Sequence, residues 1–320
     1  MKTIAVLTSG GDAPGMNAAV RAVVRAGISK GFRVVGIRRG YKGLLERDIS
    51  VLDLRSVSNI LPEGGTVLYT SRCPEFMDKR YVKKAADICR EEEIEAVVTI
   101  GGDGTFRGAL SLSEEGIPCI GIPGTIDNDI SSSEYTIGFD TAVNTVVQMV
   151  DRVRDTARSH DRCSVIEVMG RNSGHIAIEA GIACGALCIL VPEMPYDLEK
   201  DVIPRMMETL NTGKQHFIIM VSEGAGSAVE IANRINEKTG IKTSPVVLGY
   251  VQRGGSPSAF DRVIASAMGC HAISLIENGV FGRVVVKRDG KITDLDISEA
   301  LSMKKTIDKG LLEVSELVSI

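Results

Sequence analysis

Short, almost uniformly apolar runs recur along the chain: TIAVLT, RVVGI, EAVVTI, CIGI, SVIEVM, CILVP, FIIMVS and VVLGYV. Between them lie longer stretches with helical periodicity, such as residues 16–29 and 139–156. Runs without polar alternation suit strands covered on both faces, and their alternation with amphipathic helices predicts an α/β fold with parallel sheets. The expected architecture is two Rossmann-like lobes with mostly parallel sheets and a site in the cleft at the strand carboxyl ends. No low-complexity tract or Pro-rich linker divides the chain, so the lobes are expected to share crossings. The expected boundaries are 1–138 plus 252–303 for a larger lobe and 139–251 plus 304–320 for a smaller one.

The residues that follow the strands carry most of the information. TSGGD follows the first run, GGDGT follows EAVVTI, PGTIDND follows CIGI, MGR follows SVIEV, SEG follows FIIMV and QRGGSP follows VVLGY. In open α/β sheets ligands bind outside the carboxyl ends of the strands, so these motifs are expected to converge on one site.

Composition narrows the ligand. With 44% hydrophobic and 24% charged residues and a net charge of -4, the chain has no overall attraction for nucleic acid or an anionic membrane. A small molecule is the expected partner. Seven cysteines without a CxxC pair and four scattered histidines suggest neither a disulfide framework nor a zinc site, which fits a reducing cytoplasm. The apolar run at the start is too short for a signal peptide, and the stretch from Ala180 to Pro192 is too short for a membrane span.

Gly10, Gly11 and Gly15 between a strand and a helix let backbone amides approach an anion, although tight turns use glycine for steric reasons as well. GGDGT adds a second glycine turn, with Gly102 and Gly104 flanking Asp103 and with Thr105 behind it. That set suits a polyphosphate with Mg²⁺ held through Asp103 and its waters; the plainer reading is a helix cap. Arg72, Arg162, Arg171 and Arg253 stand in or beside the same loops, where a guanidinium matches phosphate oxygens. In PGTIDND, Asp127 is the candidate base for an acceptor hydroxyl and Thr125 a contact to a transferring phosphoryl group. Asp129 either orients a magnesium shell or binds backbone amides. Arg21 and Arg25, one helical turn apart, read as a solvated basic face unless an anion sits between them. The methionines and leucines of the helices expected from Asp197 and from Asp261 read as core, with no cofactor role.

LTSGGDAPGMNA, IGGDGT, PGTIDND, EVMGR, VPE and QRGGSP, in this order over essentially the whole chain, resemble the bacterial ATP-dependent 6-phosphofructokinases. The resemblance implies transfer of the ATP γ-phosphoryl group to the 1-hydroxyl of fructose 6-phosphate. Asp127 would be the base, with Thr125, Arg171, Gly11 and Arg72 at the transferring group. ATP would lie along Gly11, Tyr41, Arg72, Cys73 and residues 102–105, with Asp103 serving Mg²⁺. The sugar would meet Thr125, Ile126, Asp127, Met169, Gly170, Arg171 and Glu223, and Arg162 and Arg253 would hold its 6-phosphate. A homotetramer is implied, with sugar and effector sites shared between subunits; Arg21, Arg25, Arg154, Gly185 and Lys214 match the effector site.

Related pyrophosphate-dependent enzymes carry larger or charged residues where this chain has Gly104 and Gly124, which implies ATP as donor. Other positions depart from the family. Ser244 replaces a phosphate-binding Arg and Tyr250 a His, which predicts a raised KM for the sugar unless Lys242 or Lys238 reaches in, and leaves open another phosphosugar, such as tagatose 6-phosphate, or an inactive phosphosugar sensor. Leu54, Leu187 and Thr212 replace charged residues of the effector site, which predicts weak or altered allostery.

Overall fold

The computed structural model describes residues 2–319; residues 1 and 320, the outer ends of the expected lobes, lie outside the described residues. The strands are β1 (Thr3–Thr8), β2 (Arg33–Ile37), β3 (Ile49–Leu52), β4 (Ile94–Gly101), β5 (Cys119–Pro123), β6 (Cys163–Val168), β7 (Cys188–Leu190), β8 (Phe217–Ser222), β9 (Thr243–Val247), β10 (Arg283–Arg288) and β11 (Lys291–Asp296). The helices are α1 (Met16–Ser29), α2 (Gly40–Glu46), α3 (Lys79–Glu91), α4 (Asp103–Glu114), α5 (Phe139–Ser159), α6 (His175–Ala183), α7 (Ile203–Asn211), α8 (Ala228–Thr239), α9 (Ala259–Glu277), α10 (Ile297–Ser302) and α11 (Lys309–Val318).

Contacts divide the chain into two units. The first comprises the chain up to Ile126, Ile130–Thr141 and Arg253–Lys305; the second comprises Asp127–Asp129, Ala142–Gln252 and the chain from Thr306. The first holds a seven-stranded sheet in the order β11-β10-β5-β4-β1-β2-β3, parallel except for its two edge strands. The second holds a four-stranded parallel sheet, β7-β8-β6-β9. The α/β class with two mostly parallel sheets is therefore as the alternating pattern predicts.

Every residue of β1 and β8 is buried, because helices cover both faces of these parallel strands. In the first unit β1 lies in the interior of the sheet beside the central β4, and α9 packs along α1 so closely that a Cβ on Gly269 would stand 2.6 Å from the Ala22 Cβ. The apolar length of α9 would suffice to cross a membrane, but its packing against α1 accounts for that composition. In the second unit Leu187, Leu190, Met206, Phe217 and Ile235 build the core.

Three expectations need correction. VVLGYV is not one strand: β9 ends at Val247, and Gly249–Arg253 is a short 3-10 turn entered through Gly249 at φ 53°. QRGGSP therefore begins inside that turn rather than at a strand end. The helices expected to start at Asp197 and Asp261 start later and earlier respectively: Asp197 caps a π-helical turn at Leu198–Val202, while Asp261 is the third residue of α9. Met207, expected in the core, is 38% exposed, although Met206 and Met268 are buried. The antiparallel edge strand β11, KITDLD, carries too many polar residues to read as a buried run, and the opposite edge, β3, is only four residues long; polar or short edges limit further pairing.

Candidate functional site

The strand order reverses beside β1, since β2 and β3 lie to one side and β4 and β5 to the other. Such a reversal splays the connecting loops apart and leaves a crevice at the carboxyl ends. The two glycine turns meet there. Thr105 Oγ1 donates to the Ser9 carbonyl at 3.0 Å, and a Cβ on Gly101 would come within 2.3 Å of both atoms. Gly15, at φ 102°, is the N-cap of α1, and Gly102 is the N-cap of α4. Asp103 follows as the first residue of α4, half-buried, and Gly104 is exposed, with open space where a side chain would point.

Tyr41 supports this turn from behind. Its hydroxyl donates to the Thr105 carbonyl at 2.6 Å, its ring stacks on Phe76 at 4.1 Å, and burial pushes its phenol well up. A Cβ on Gly108 would meet the ring at 2.5 Å. Arg72 is exposed; Cys73, partly buried, leads into the Pro74–Met77 turn, and burial pushes its thiol up to about 11.

Thr125 leaves the end of β5 through a bridge between Gly124 and Ile137. Its amide donates to the Ile137 carbonyl at 3.1 Å, and Thr136 Oγ1 donates to its carbonyl at 2.7 Å. Gly124 is enclosed: a Cβ there would lie 3.0 Å from Met16 Cε and 3.3 Å from Ile100 Cγ2. Packing therefore favours glycine at 124, where a side chain would have to displace Met16 and Ile100, whereas the open space at Gly104 leaves room for a nucleotide. Arg253 Nη1 donates to the Asp12 carbonyl at 3.0 Å, against Gly11 in the first turn.

In the second unit one carboxylate shapes the MGR turn. Glu223 Oε1 accepts from the Arg171 amide at 2.7 Å and the Gly170 amide at 3.3 Å. Arg171 is held at φ 57°, an uncommon conformation for a non-glycine residue, with its side chain exposed. The Met169 amide donates to Gln252 Oε1 at 3.2 Å, and buried Gln252 returns a bond to the Gly249 carbonyl. Asp127 is 6% exposed and Ile126 fully buried, Ser173 Oγ donates to the Asp127 carbonyl at 3.4 Å, and Asp129 is half-buried. Arg162 precedes β6, half-buried; Ser244 pairs with Ser164 across β9 and β6; Tyr250 is 82% exposed.

Gln252 and Glu193, which accepts from the Gly174 amide at 3.0 Å, are positioning groups that sequence reasoning did not single out. Both lie inside quoted motifs, QRGGSP and VPE, but nothing in those strings shows which backbone amides they meet.

Among the expected effector residues, Arg154 bonds to the Cys184 carbonyl beside Gly185. Burial and then the Arg154 charge lower the Lys214 pKa, so Arg154, Gly185 and Lys214 are grouped in the second unit. Arg21 and Arg25 lie on α1 of the first unit. Leu187 is 1% exposed, packed in the core of the second unit, while Leu54 and Thr212 are exposed.

Glycine turns that close on each other at a topological reversal, with a carboxylate at the head of the following helix, define an α/β protein built for phosphoryl groups. The family model described as phosphofructokinase matches residues 3–276. The chain is 54% identical over 320 residues to the ATP-dependent 6-phosphofructokinase of Bacillus thuringiensis, with all of both chains covered. The solved phosphofructokinase of Saccharomyces cerevisiae superposes with a TM-score of 0.89 at 33% identity, over all of this chain and 48% of the yeast one. That of Pichia pastoris in the T-state gives 0.90 at 33%, over 99% of this chain and 37% of its counterpart. This chain thus spans half or less of the yeast subunits. It belongs to the phosphofructokinase family.

Proposed function

We propose that this chain transfers the γ-phosphoryl group of MgATP to the 1-hydroxyl of fructose 6-phosphate, giving fructose 1,6-bisphosphate and ADP, as a committed step of glycolysis in the cytoplasm. The observation that carries this reading is the closure of the GGDGT turn on the first glycine turn through Thr105 and Ser9. It gathers backbone amides and two helix N-termini on one side of a crevice, the arrangement that polyphosphate requires. Gly11, Tyr41, Arg72, Cys73 and residues 102–105 then form the nucleotide side, with Tyr41 acting through Thr105.

Asp103 would hold the Mg²⁺ of the nucleotide substrate, and that ion would supply neutralisation of the phosphate charge. The half-buried carboxylate at Asp103 suits an ion that keeps its waters and phosphate ligands. Among the described residues no group of three His, Cys, Asp or Glu side chains stands close enough to hold it alone. Asp127 takes the proton of the acceptor hydroxyl, which its neighbour Thr125 helps to align, and Arg171 steadies the transferring group. Met169, Gly170 and Glu223 meet the sugar, and Arg162 and Arg253 its phosphate.

Two observations favour a second reading of the acceptor, another phosphosugar such as tagatose 6-phosphate: Ser244 brings no charge, and Tyr250 stands 82% exposed. Steady-state rates with MgATP and with pyrophosphate, each against both sugar phosphates, test donor and acceptor together. Turnover of tagatose 6-phosphate with none of fructose 6-phosphate would overturn the first reading.

A homotetramer fits the edge position of β9, whose last residue Val247 and the following Tyr250 and Val251 are all more than half exposed. A second copy is the proposed cover, and sedimentation as a monomer would exclude it. Arg154, Gly185 and Lys214, with Arg21 and Arg25 of a neighbouring copy, are the proposed effector contacts.

A further inference from the structure

Asp261 is fully buried near the start of α9 and no motif assigns it a part in the reaction. Its Oδ1 accepts from the Gly138 amide at 2.7 Å and from the Tyr135 hydroxyl at 3.3 Å. Its Oδ2 accepts from the Thr141 amide at 2.9 Å and from Thr141 Oγ1 at 2.5 Å. Burying a charge is expensive unless hydrogen bonds replace its water, and here donors reach both oxygens. Burial pushes the carboxyl up, while the bonds from Thr141 and Gly138 pull it back.

Ser258 Oγ accepts from the Asp261 amide at 3.2 Å, as an N-cap does. An acidic residue at this third helical position ordinarily reaches back to the amide of the cap. Here the Ser258 amide donates instead to Thr141 Oγ1 at 2.9 Å, and that hydroxyl donates onward to Asp261. The reciprocal cap has been opened, and Thr141 inserted into it.

What the carboxylate holds leads directly to the reaction loop. Gly138 follows Ile137, which bridges Gly124, donates to the Pro123 carbonyl at 3.0 Å and accepts from the Thr125 amide. The same segment is nested against the first glycine turn: a Cβ on Gly15 would stand 2.7 Å from Ile137 Cγ2, and one on Gly138 2.7 Å from the Ala13 Cβ. Both glycines have positive φ, 102° and 104°, so neither backbone tolerates a side chain.

We propose that Asp261, with Thr141, is a positioning residue for phosphoryl transfer, clamping residues 135–141 so that Thr125 and the following Asp127 are held in register. The inference rests on the phosphofructokinase reading of this site, in which Thr125 and Asp127 act on the acceptor. An ordinary stabilising contact would leave the turnover of each folded molecule unchanged.

The test uses the full chain with Asp261→Asn, Thr141→Val and Thr141→Ser. Steady-state rates are expressed per folded chain, with folding followed by circular dichroism and amide hydrogen exchange followed across the molecule. The expected result is a kcat at least about tenfold lower in D261N and T141V, since displacements near 1 Å can cost about 10²-fold, with KM for MgATP within about twofold. T141S, which restores the hydroxyl, recovers most of the loss, and exchange accelerates at residues 124–141 while β1 and β4 stay protected. Unchanged kcat per folded chain in T141V, or a loss that hydroxyl restoration does not repair, overturns the proposal even where D261N fails to fold. Wild-type turnover is measured first. If it requires a different phosphosugar, the reading of the acceptor falls, and the same ratios on that substrate still decide the clamp.

Discussion

The guanidinium of Arg253 lies against Gly11, so close that a Cβ on the glycine would stand 2.7 Å from Nη1. Two motifs far apart in the sequence are thereby joined, and the bond to the Asp12 carbonyl fixes the arrangement. In Gly11→Ala the flexible arginine end yields at little cost, so unfolding free energy should change by no more than about 0.5 kcal/mol. Catalysis should suffer more: kcat/KM for fructose 6-phosphate is expected to fall about tenfold as Arg253 is displaced. Denaturant titration alongside kinetics checks this, and equal losses in stability and activity would count against it.

Asp127→Asn keeps the shape of the side chain and removes the base. Turnover should drop about two to four orders of magnitude while nucleotide affinity, measured by calorimetry, stays within a few-fold. Turnover within twofold of wild type would remove Asp127 from the proton transfer.

Ser244 sits on β9 where the family resemblance implies an arginine. Restoring the charge in Ser244→Arg should add one charge-assisted phosphate contact, worth about 1.5–3 kcal/mol, and lower KM for fructose 6-phosphate about ten- to hundredfold. A KM that stays put would mean that position 244 does not face the sugar phosphate in the assembly.

His216 reports on the basic cluster of the second unit. Burial and then the charges of Arg154, Lys214 and Arg158 hold its imidazole below the ordinary 6.5. Between 6.5 and the lower folded value the unfolded chain binds a proton that the folded chain refuses, so stability rises with pH there and is lost as pH falls. A phosphate-bearing effector on Arg154 and Lys214 should offset those charges and raise the His216 value. Proton NMR titration with and without ADP measures the shift; no movement at saturating ADP would argue against binding at this cluster.

Much of the fold was legible because buried parallel strands are nearly pure apolar runs and their turns are rich in glycine. VVLGYV misled because an apolar run does not disclose where a strand stops, and the turn at Gly249 ends the ladder early. Gly124 shows a similar limit: the string PGTIDND cannot reveal that Met16 and Ile100 close over that glycine. Ser258 and Asp261 have capping-box spacing, yet the structure diverts their bonds to Thr141.

The order of strands, helices and phosphate-binding turns, and hence the class of chemistry, followed from the sequence because local apolar pattern and glycine placement are properties of neighbouring residues. Only the tertiary structure decided that Arg253 rests on Gly11, that Glu223 holds the Arg171 amide and that Asp261 reaches Gly138 and Thr141. Those partners are far apart along the chain. A side-chain hydrogen bond needs its atoms within about 3 Å, and packing of whole elements sets that distance.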